Sequence, residues 1–120
     1  MKRREIGKIG EQLAQNFLKK KGYRILETNC RCGRHEIDIV ARQKDYLVFV
    51  EVRSKSNPDY GAPEESLTVN KMQHMESAAE HYLQAHNYES ELWRVDLVSI
   101  ELDNSKKLTR IELIENALDY

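Results

Sequence analysis

Glu36-Ile37-Asp38-Ile39-Val40-Ala41-Arg42-Gln43-Lys44-Asp45-Tyr46-Leu47-Val48-Phe49-Val50-Glu51-Val52-Arg53 is the stretch on which the fold turns. Its two β-rich runs, 36–42 and 46–53, flank the polar triplet Gln43-Lys44-Asp45, which reads as the turn of a hairpin. Leu47-Val48-Phe49-Val50 is apolar at every position, whereas a half-exposed strand alternates. The second run is therefore expected to be a central strand covered on both faces.

Side chains alternate along a strand, so Glu36 and Asp38 share one face of the first run, and Glu51 and Arg53 share one face of the second. The register decides whether they meet. If Arg42 pairs with Asp45, Asp38 lies opposite Phe49 and diagonal to Glu51. If Arg42 pairs with Leu47, Asp38 and Glu51 are direct neighbours. Opposed Cβ atoms lie roughly 5 Å apart and diagonal ones roughly 7 Å, and both registers put the two acids on one face. Like charges so placed repel, and Glu51 follows a run apolar enough to be buried. A hard divalent cation offsets that cost, since Mg²⁺ is often held by one or two carboxylates with waters completing its shell. Arg53 adds a fixed positive charge on the same face. A salt-bridged strand edge, with Arg34, Arg42 or Arg53 neutralising the acids, fits the same spacing.

Outward from the hairpin, Ile6, Ile9, Leu13 and Phe17 recur at helical spacing and Gly22 follows Lys19-Lys20-Lys21 as a stop, which predicts a helix from Ile6 to Leu18. Tyr23 to Asn29 reads as a strand. Asn57-Pro58-Asp59-Tyr60-Gly61-Ala62-Pro63 has the composition of a loop. Val69, Met72, Met75, Ala79, Leu83 and His86 predict a second helix over about 67–86, with its apolar stripe as core. Trp93 to Glu101 and Leu108 to Ile114 read as two more strands across the turn Asp103-Asn104-Ser105. The order α-β-β-β-α-β-β is an α/β or α+β pattern.

The 120 residues suit one domain, 1–120, with no internal repeat or linker. At 40% hydrophobic and 32% charged, the composition excludes a disordered tail or a fibre. No run approaches membrane-spanning length, so no membrane partner is expected. Met1-Lys2-Arg3-Arg4 is basic like the start of a signal peptide, but Glu5, Lys8 and Glu11 leave no apolar region behind it, so a cytoplasmic location is expected. Two cysteines are too few for a disulfide scaffold. Nineteen Lys and Arg against twenty Asp and Glu give a net charge of −1, so any nucleic-acid contact has to be local. The basic residues cluster at 2–4, at 19–21, at Arg31 and Arg34, and at Arg53 and Lys55.

Gly7-Lys8-Ile9-Gly10-Glu11 with Ala14 and Leu18, then Gly22-Tyr23, Asn29, Glu36-Ile37-Asp38-Ile39-Val40 and Val48-Phe49-Val50-Glu51-Val52-Arg53, form a specific combination of blocks. Tyr60-Gly61, Lys71, Ala79, Tyr82-Leu83 and Arg94-Val95-Asp96 continue it in order. Over nearly its whole length the chain resembles the YraN-like family of small bacterial proteins. That family is similar to archaeal Holliday-junction resolvases of the restriction-endonuclease-like superfamily, whose signature is PD-(D/E)XK. The resemblance implies an α/β, restriction-endonuclease-like fold with a mixed sheet flanked by helices, and a metal-dependent endonuclease acting on DNA, with branched or damaged structures as its expected substrates. Position by position it makes Asp38 the signature aspartate, Glu51 the second acid, Arg53 the terminal cation and Glu11 the helix-borne acid of the site. Asp38 and Glu51 would hold Mg²⁺ or Mn²⁺, with the Val52 carbonyl as a further ligand. Such resolvases commonly act as dimers, so a homodimer is compatible with the resemblance.

Two departures from the signature bear on activity. Ile37 stands where the signature has proline, and Arg53 replaces lysine. Arginine stays charged above pH 12, so it cannot act as a general base, though it can stabilise a phosphate. A nucleic-acid-binding or assembly module that keeps the fold without turnover is the alternative reading, and a structural partner of another protein is a third. Glu36 shares the face of Asp38 and can replace it as a ligand or play a hydrogen-bonding role. Lys55 and Lys71 are candidate contacts for DNA phosphates beside Arg53. His35 precedes Glu36-Ile37-Asp38 where the family more often has glycine, and its ring either lines the site or faces solvent, the latter being expected. Gly7, Gly10 and Ala14 surround Glu11 with small side chains that would let it approach the sheet. Arg94 and Asp96 are expected to pair. Cys30-x-Cys32-x-x-His35 offers only three zinc ligands at an atypical spacing.

Overall fold

The computed structural model describes residues 3–56, 61–88 and 91–119. Helix α1 (Arg3–Lys20) leads into strands β1 (Arg24–Cys32), β2 (His35–Gln43) and β3 (Tyr46–Lys55). A short 3-10 turn (Pro63–Ser66) precedes helix α2 (Val69–Ala85), then come β4 (Trp93–Leu102) and β5 (Leu108–Ile114). The expected order of elements is the observed one. Of the loop expected at 57–63, residues 57–60 lie outside the described residues.

The five strands form one sheet in the order β1-β2-β3-β4-β5. Neighbours are antiparallel except β3 and β4, which are parallel because α2 carries the chain back across the sheet between them. The central position of β3 follows from its composition: Leu47, Val48, Phe49 and Val50 are each at most 2% exposed. On one face Ala14 and Leu18 of α1 pack over Ile39, Ala41, Val48, Val50, Val98 and Ile100. On the other, Met75, Ala78, Ala79, Tyr82 and Leu83 of α2 cover Val40, Leu47, Phe49 and Val95. The result is three layers, helix on sheet on helix.

Two turns set the registers around the site. Gly33, at φ +65°, and Arg34 close the β1–β2 hairpin after the pair Cys32 and His35. The β1 strand thus runs three residues past the expected end at Asn29. The β2–β3 turn is shorter than the expected triplet: Gln43 pairs with Tyr46, leaving only Lys44 and Asp45, and Lys44 takes the positive φ of 54°. Arg42 then pairs with Leu47, and of the two registers weighed this is the one that places Asp38 opposite Glu51.

The fold's polar ties lie away from these turns. Asp96 is fully buried, and its carboxylate accepts from Arg94 Nε (2.9 Å), the Tyr23 hydroxyl (2.8 Å) and the Asn116 amide (3.0 Å). This is the expected Arg94–Asp96 pair, and the Tyr23 hydroxyl on Asp96 fastens the α1–β1 connection to β4. Ser99 Oγ and Arg110 hold Glu64, which clamps the 3-10 turn to β4 and β5.

Helix α1 lies against β3 at Gly10. A Cβ there would stand 1.8 Å from Ser54 Oγ and 2.9 Å from Ser54 Cβ. Gly10→Ala in a free helix would gain about 1 kcal/mol, but this contact reverses the sign. We expect Gly10→Ala to cost about 1–3 kcal/mol by overpacking, partly recovered by adding Ser54→Ala, as read by urea denaturation. A raised melting temperature in Gly10→Ala alone would contradict the close approach.

Candidate functional site

The β2–β3 ladder is paired up to Ile39 and Val50 and opens beyond them. There Asp38 Oδ2 accepts the main-chain N–H of Val52 at 2.8 Å, so a side chain takes the place of a strand partner. The same opening brings the Asp38 and Glu51 side chains together. Burial is the largest influence on the Asp38 carboxyl and the charge of Glu51 the next; together they push it up from 3.8 to about 7 against the lowering effect of the Val52 N–H. Glu11 of α1 adds to the same rise.

Glu51 is only 7% exposed and is held by two cations on one oxygen. Arg53 Nε stands 3.5 Å and Lys71 Nζ 3.3 Å from its Oε2. Lys71 lies in the first turn of α2, where a cation opposes the helix dipole. Its ion pair with Glu51 offsets that placement. Of the three arginines considered as neutralisers, Arg53 does reach the acids, whereas Arg42 pairs with Glu91 at 3.4 Å.

Glu11 comes to the site because Gly10 lets α1 press on β3. Its carboxyl is raised by burial first and by Glu36 second, and lowered by a hydrogen bond from Asn29. Asn29 takes a left-handed φ of 51° between the pairs Thr28–Ile39 and Cys30–Ile37, opposite Asp38. With its amide nitrogen turned toward the acids, it lies 3.1 Å from Glu11 Oε1 and 3.3 Å from Glu36 Oε1. No periodicity or motif in the sequence gives Asn29 a role. Its unusual φ, invisible in composition, is what aims it inward. Gly7 differs from Gly10 in having open space around it.

Two clefts meet at Asp38. One, of about 270 Å³, runs under α2 and includes Glu36, Glu51, Lys71 and His74. The other, of about 680 Å³, runs along α1 and includes Arg3, Glu11, Arg53 and Lys55. The three cations expected to meet DNA, Arg53, Lys55 and Lys71, therefore border these clefts. His35 stacks on His74, with centroids 4.4 Å apart and planes 19° from parallel, and lines the cleft under α2 while staying partly exposed. Cys30 and Cys32 bring their sulfurs to 3.4 Å.

A divalent cation fits this chemistry. Hard carboxylate oxygens face each other, one of them buried enough to lose its usual acidity, and the surrounding acids outnumber the cations that touch them. Among the described residues, no three His, Cys, Asp or Glu side chains form a ready metal cage. Mg²⁺ or Mn²⁺ would thus take Asp38 and Glu51 from the protein and fill its shell with water or substrate oxygens. No helix among the described residues is long and apolar enough to cross a membrane.

The family model of the uncharacterised protein family UPF0102 matches residues 10–100. The chain belongs to this family. The match spans α1 from Gly10, both hairpins, α2 and nearly all of β4, so it contains every acid of the site. A UPF0102 protein of Dehalococcoides mccartyi is 48% identical over 97% of this chain and 94% of its own length. UPF0102 proteins of Caldicellulosiruptor saccharolyticus and Moorella thermoacetica are 38% and 40% identical, each over 98% of this chain and 99% and 98% of their own lengths. The YraN-like resemblance is thereby established at the level of the family.

The raised Asp38 carboxyl makes stability depend on pH. An acid whose folded pKa exceeds its unfolded one stabilises fully below the unfolded value and loses that contribution as pH rises through the folded value. Between about pH 4 and pH 7 the metal-free protein should therefore lose stability through this group. Asp38→Asn keeps an acceptor for the Val52 N–H and removes the charge. It should raise stability at pH 8 by about 1–3 kcal/mol and flatten that part of the profile, measured by denaturation without divalent metal. An Asp38→Asn profile parallel to wild type would contradict the coupling.

Proposed function

We propose that this protein is a metal-dependent endonuclease that hydrolyses DNA phosphodiester bonds at branched structures, working as a homodimer where two strands are cut. The observation that carries the reading is the meeting of Asp38 and Glu51 at the open end of the β2–β3 ladder, with Arg53 and Lys71 beside them. The element order and the positional match to PD-(D/E)XK add support, because these two acids fall on the signature's acidic positions.

Asp38 and Glu51 are the residues that would hold the metal, Val52 offering its carbonyl as a further ligand. Bound there, Mg²⁺ or Mn²⁺ supplies an activated water and neutralises charge on the phosphorane-like transition state. Glu11, oriented by Asn29, accepts a proton from the attacking water or aligns it. Glu36 shares that hydrogen-bonded group and can substitute as a ligand. Arg53 Nε is buried and, among the described residues, finds no hydrogen-bond acceptor, only the 3.5 Å ion pair with Glu51. The rest of its guanidinium can donate to a phosphate oxygen as a permanent charge. Lys55 and Lys71 meet neighbouring phosphates from the two clefts.

A binding module without turnover is the second reading, favoured by the cation pair that already satisfies Glu51 and by arginine at the signature's lysine position. Cleavage assays on single-stranded, duplex, flap and four-way-junction DNA with Mg²⁺ and Mn²⁺ separate the two. Arg53→Lys should keep measurable activity, because the required effect is electrostatic, and Arg53→Ala should lose about a hundredfold or more. Metal should raise the melting temperature of wild type and leave that of the Asp38→Asn, Glu51→Gln double variant unmoved. DNA binding with no cleavage by wild type or Arg53→Lys, on any substrate and with either metal, rejects the nuclease reading.

A further inference from the structure

The cleft beneath α2 joins a small apolar floor to a polar mouth. Its floor is apolar, formed by Ile37, Phe49, Met75, Ala78 and Val95, all of them buried. Its mouth is polar: the stacked rings of His35 and His74 stand on one side, Arg34 and Lys71 supply positive charge, and Asp38 and Glu51 form the inner border. We infer that this cleft is a nucleoside subsite, taking one unpaired base of the substrate next to the bond that is cut. The position of that bond rests on the nuclease reading; the chemistry of the cleft does not.

Size and charge choose the occupant. A volume of about 270 Å³ lies just below the range of pockets that enclose drug-sized ligands, about 300 Å³ and upward, so it suits one planar ring system and not a base pair. A bare phosphate gains nothing from an apolar floor and is repelled by the acids at the inner border. A nucleotide satisfies both halves of the site, its base on the floor and its phosphate toward the positive charge of Arg34 at the mouth. The paired imidazoles offer a flat face for the base to stack on, and an apolar floor reads no hydrogen-bonding edge, so binding should be tolerant of base identity.

A base in a duplex cannot enter such a cleft without leaving its partner, which costs free energy that an already unpaired base avoids. The substrate class is therefore DNA with an unpaired nucleotide beside the scissile bond, as at a flap, a gap or the centre of a junction. Intact duplex should be the poorest substrate.

Titration of the protein with dAMP and, separately, with deoxyribose 5-phosphate tests this, followed by the Met75 methyl and His74 ring resonances. The expected result is a saturable shift with dAMP and none with the sugar phosphate. His74→Ala, a substitution at an exposed position, should weaken dAMP about tenfold. In cleavage, an abasic nucleotide next to the cut should lower kcat/KM by a similar factor, and abasic sites elsewhere should change it less than about twofold. Equal shifts from both ligands, no shift from either, or His74→Ala binding dAMP as tightly as wild type would overturn the subsite. Base-dependent shifts without cleavage of any substrate would sink the nuclease reading and leave the subsite standing; cleavage without base-dependent shifts would sink the subsite alone.

Discussion

The site depends on one contact, the 2.8 Å hydrogen bond from the Val52 amide to the Asp38 carboxylate. A buried main-chain N–H must find an acceptor, and at this point of the sheet the acceptor is a side chain. That substitution ends the β2–β3 ladder at Ile39 and Val50 while β3 continues to pair with β4 as far as Lys55. The strands part on one side only, and the gap is where the carboxylates of Asp38 and Glu51 converge. An uninterrupted ladder would have left them as an ordinary cross-strand pair of like charges, which sheets disfavour.

The rest of the structure manages the charge so concentrated. Lys71 and Arg53 share one oxygen of Glu51, Asn29 bridges Glu11 and Glu36, and Asp38 accepts a hydrogen bond from the main chain. Helix α1 can deliver Glu11 only because Gly10 removes a side chain that would collide with Ser54. Helix α2 delivers Lys71 from its first turn, fixed by the Thr68 cap on the Lys71 amide at 3.1 Å. Each helix thus contributes one charged group to the open end of the sheet, and Asp38 borders the clefts on both sides.

Much of this was legible in the sequence. The all-apolar run Leu47 to Val50 could only be a central strand, and the helices followed from spacing. The pairing of Arg94 with Asp96 and the approach of Glu11 beside Gly10 were also readable from residue type and position. The register was not, because it hinges on whether Gln43 belongs to the turn or the strand, and a lysine at positive φ decides that. Asn29 and the His35–His74 stack escaped for a related reason. Their roles come from a left-handed backbone at Asn29 and from a ring on α2 far away in sequence, and neither leaves a periodic trace. The second cation on Glu51 was not legible either: Lys71, a candidate DNA contact, also rests its ammonium on this acid from a helix distant in sequence.

That last contact points to the most direct test. Metal at Asp38 and Glu51 must compete with Lys71 and Arg53 for the Glu51 oxygen. In crystals grown with Mn²⁺, anomalous scattering should show a single strong peak within about 2.1 Å of oxygens of both Asp38 and Glu51, with the Lys71 ammonium moved off Glu51. Density without a peak at these carboxylates, and with both ion pairs on Glu51 intact at saturating Mn²⁺, would contradict the account at its centre.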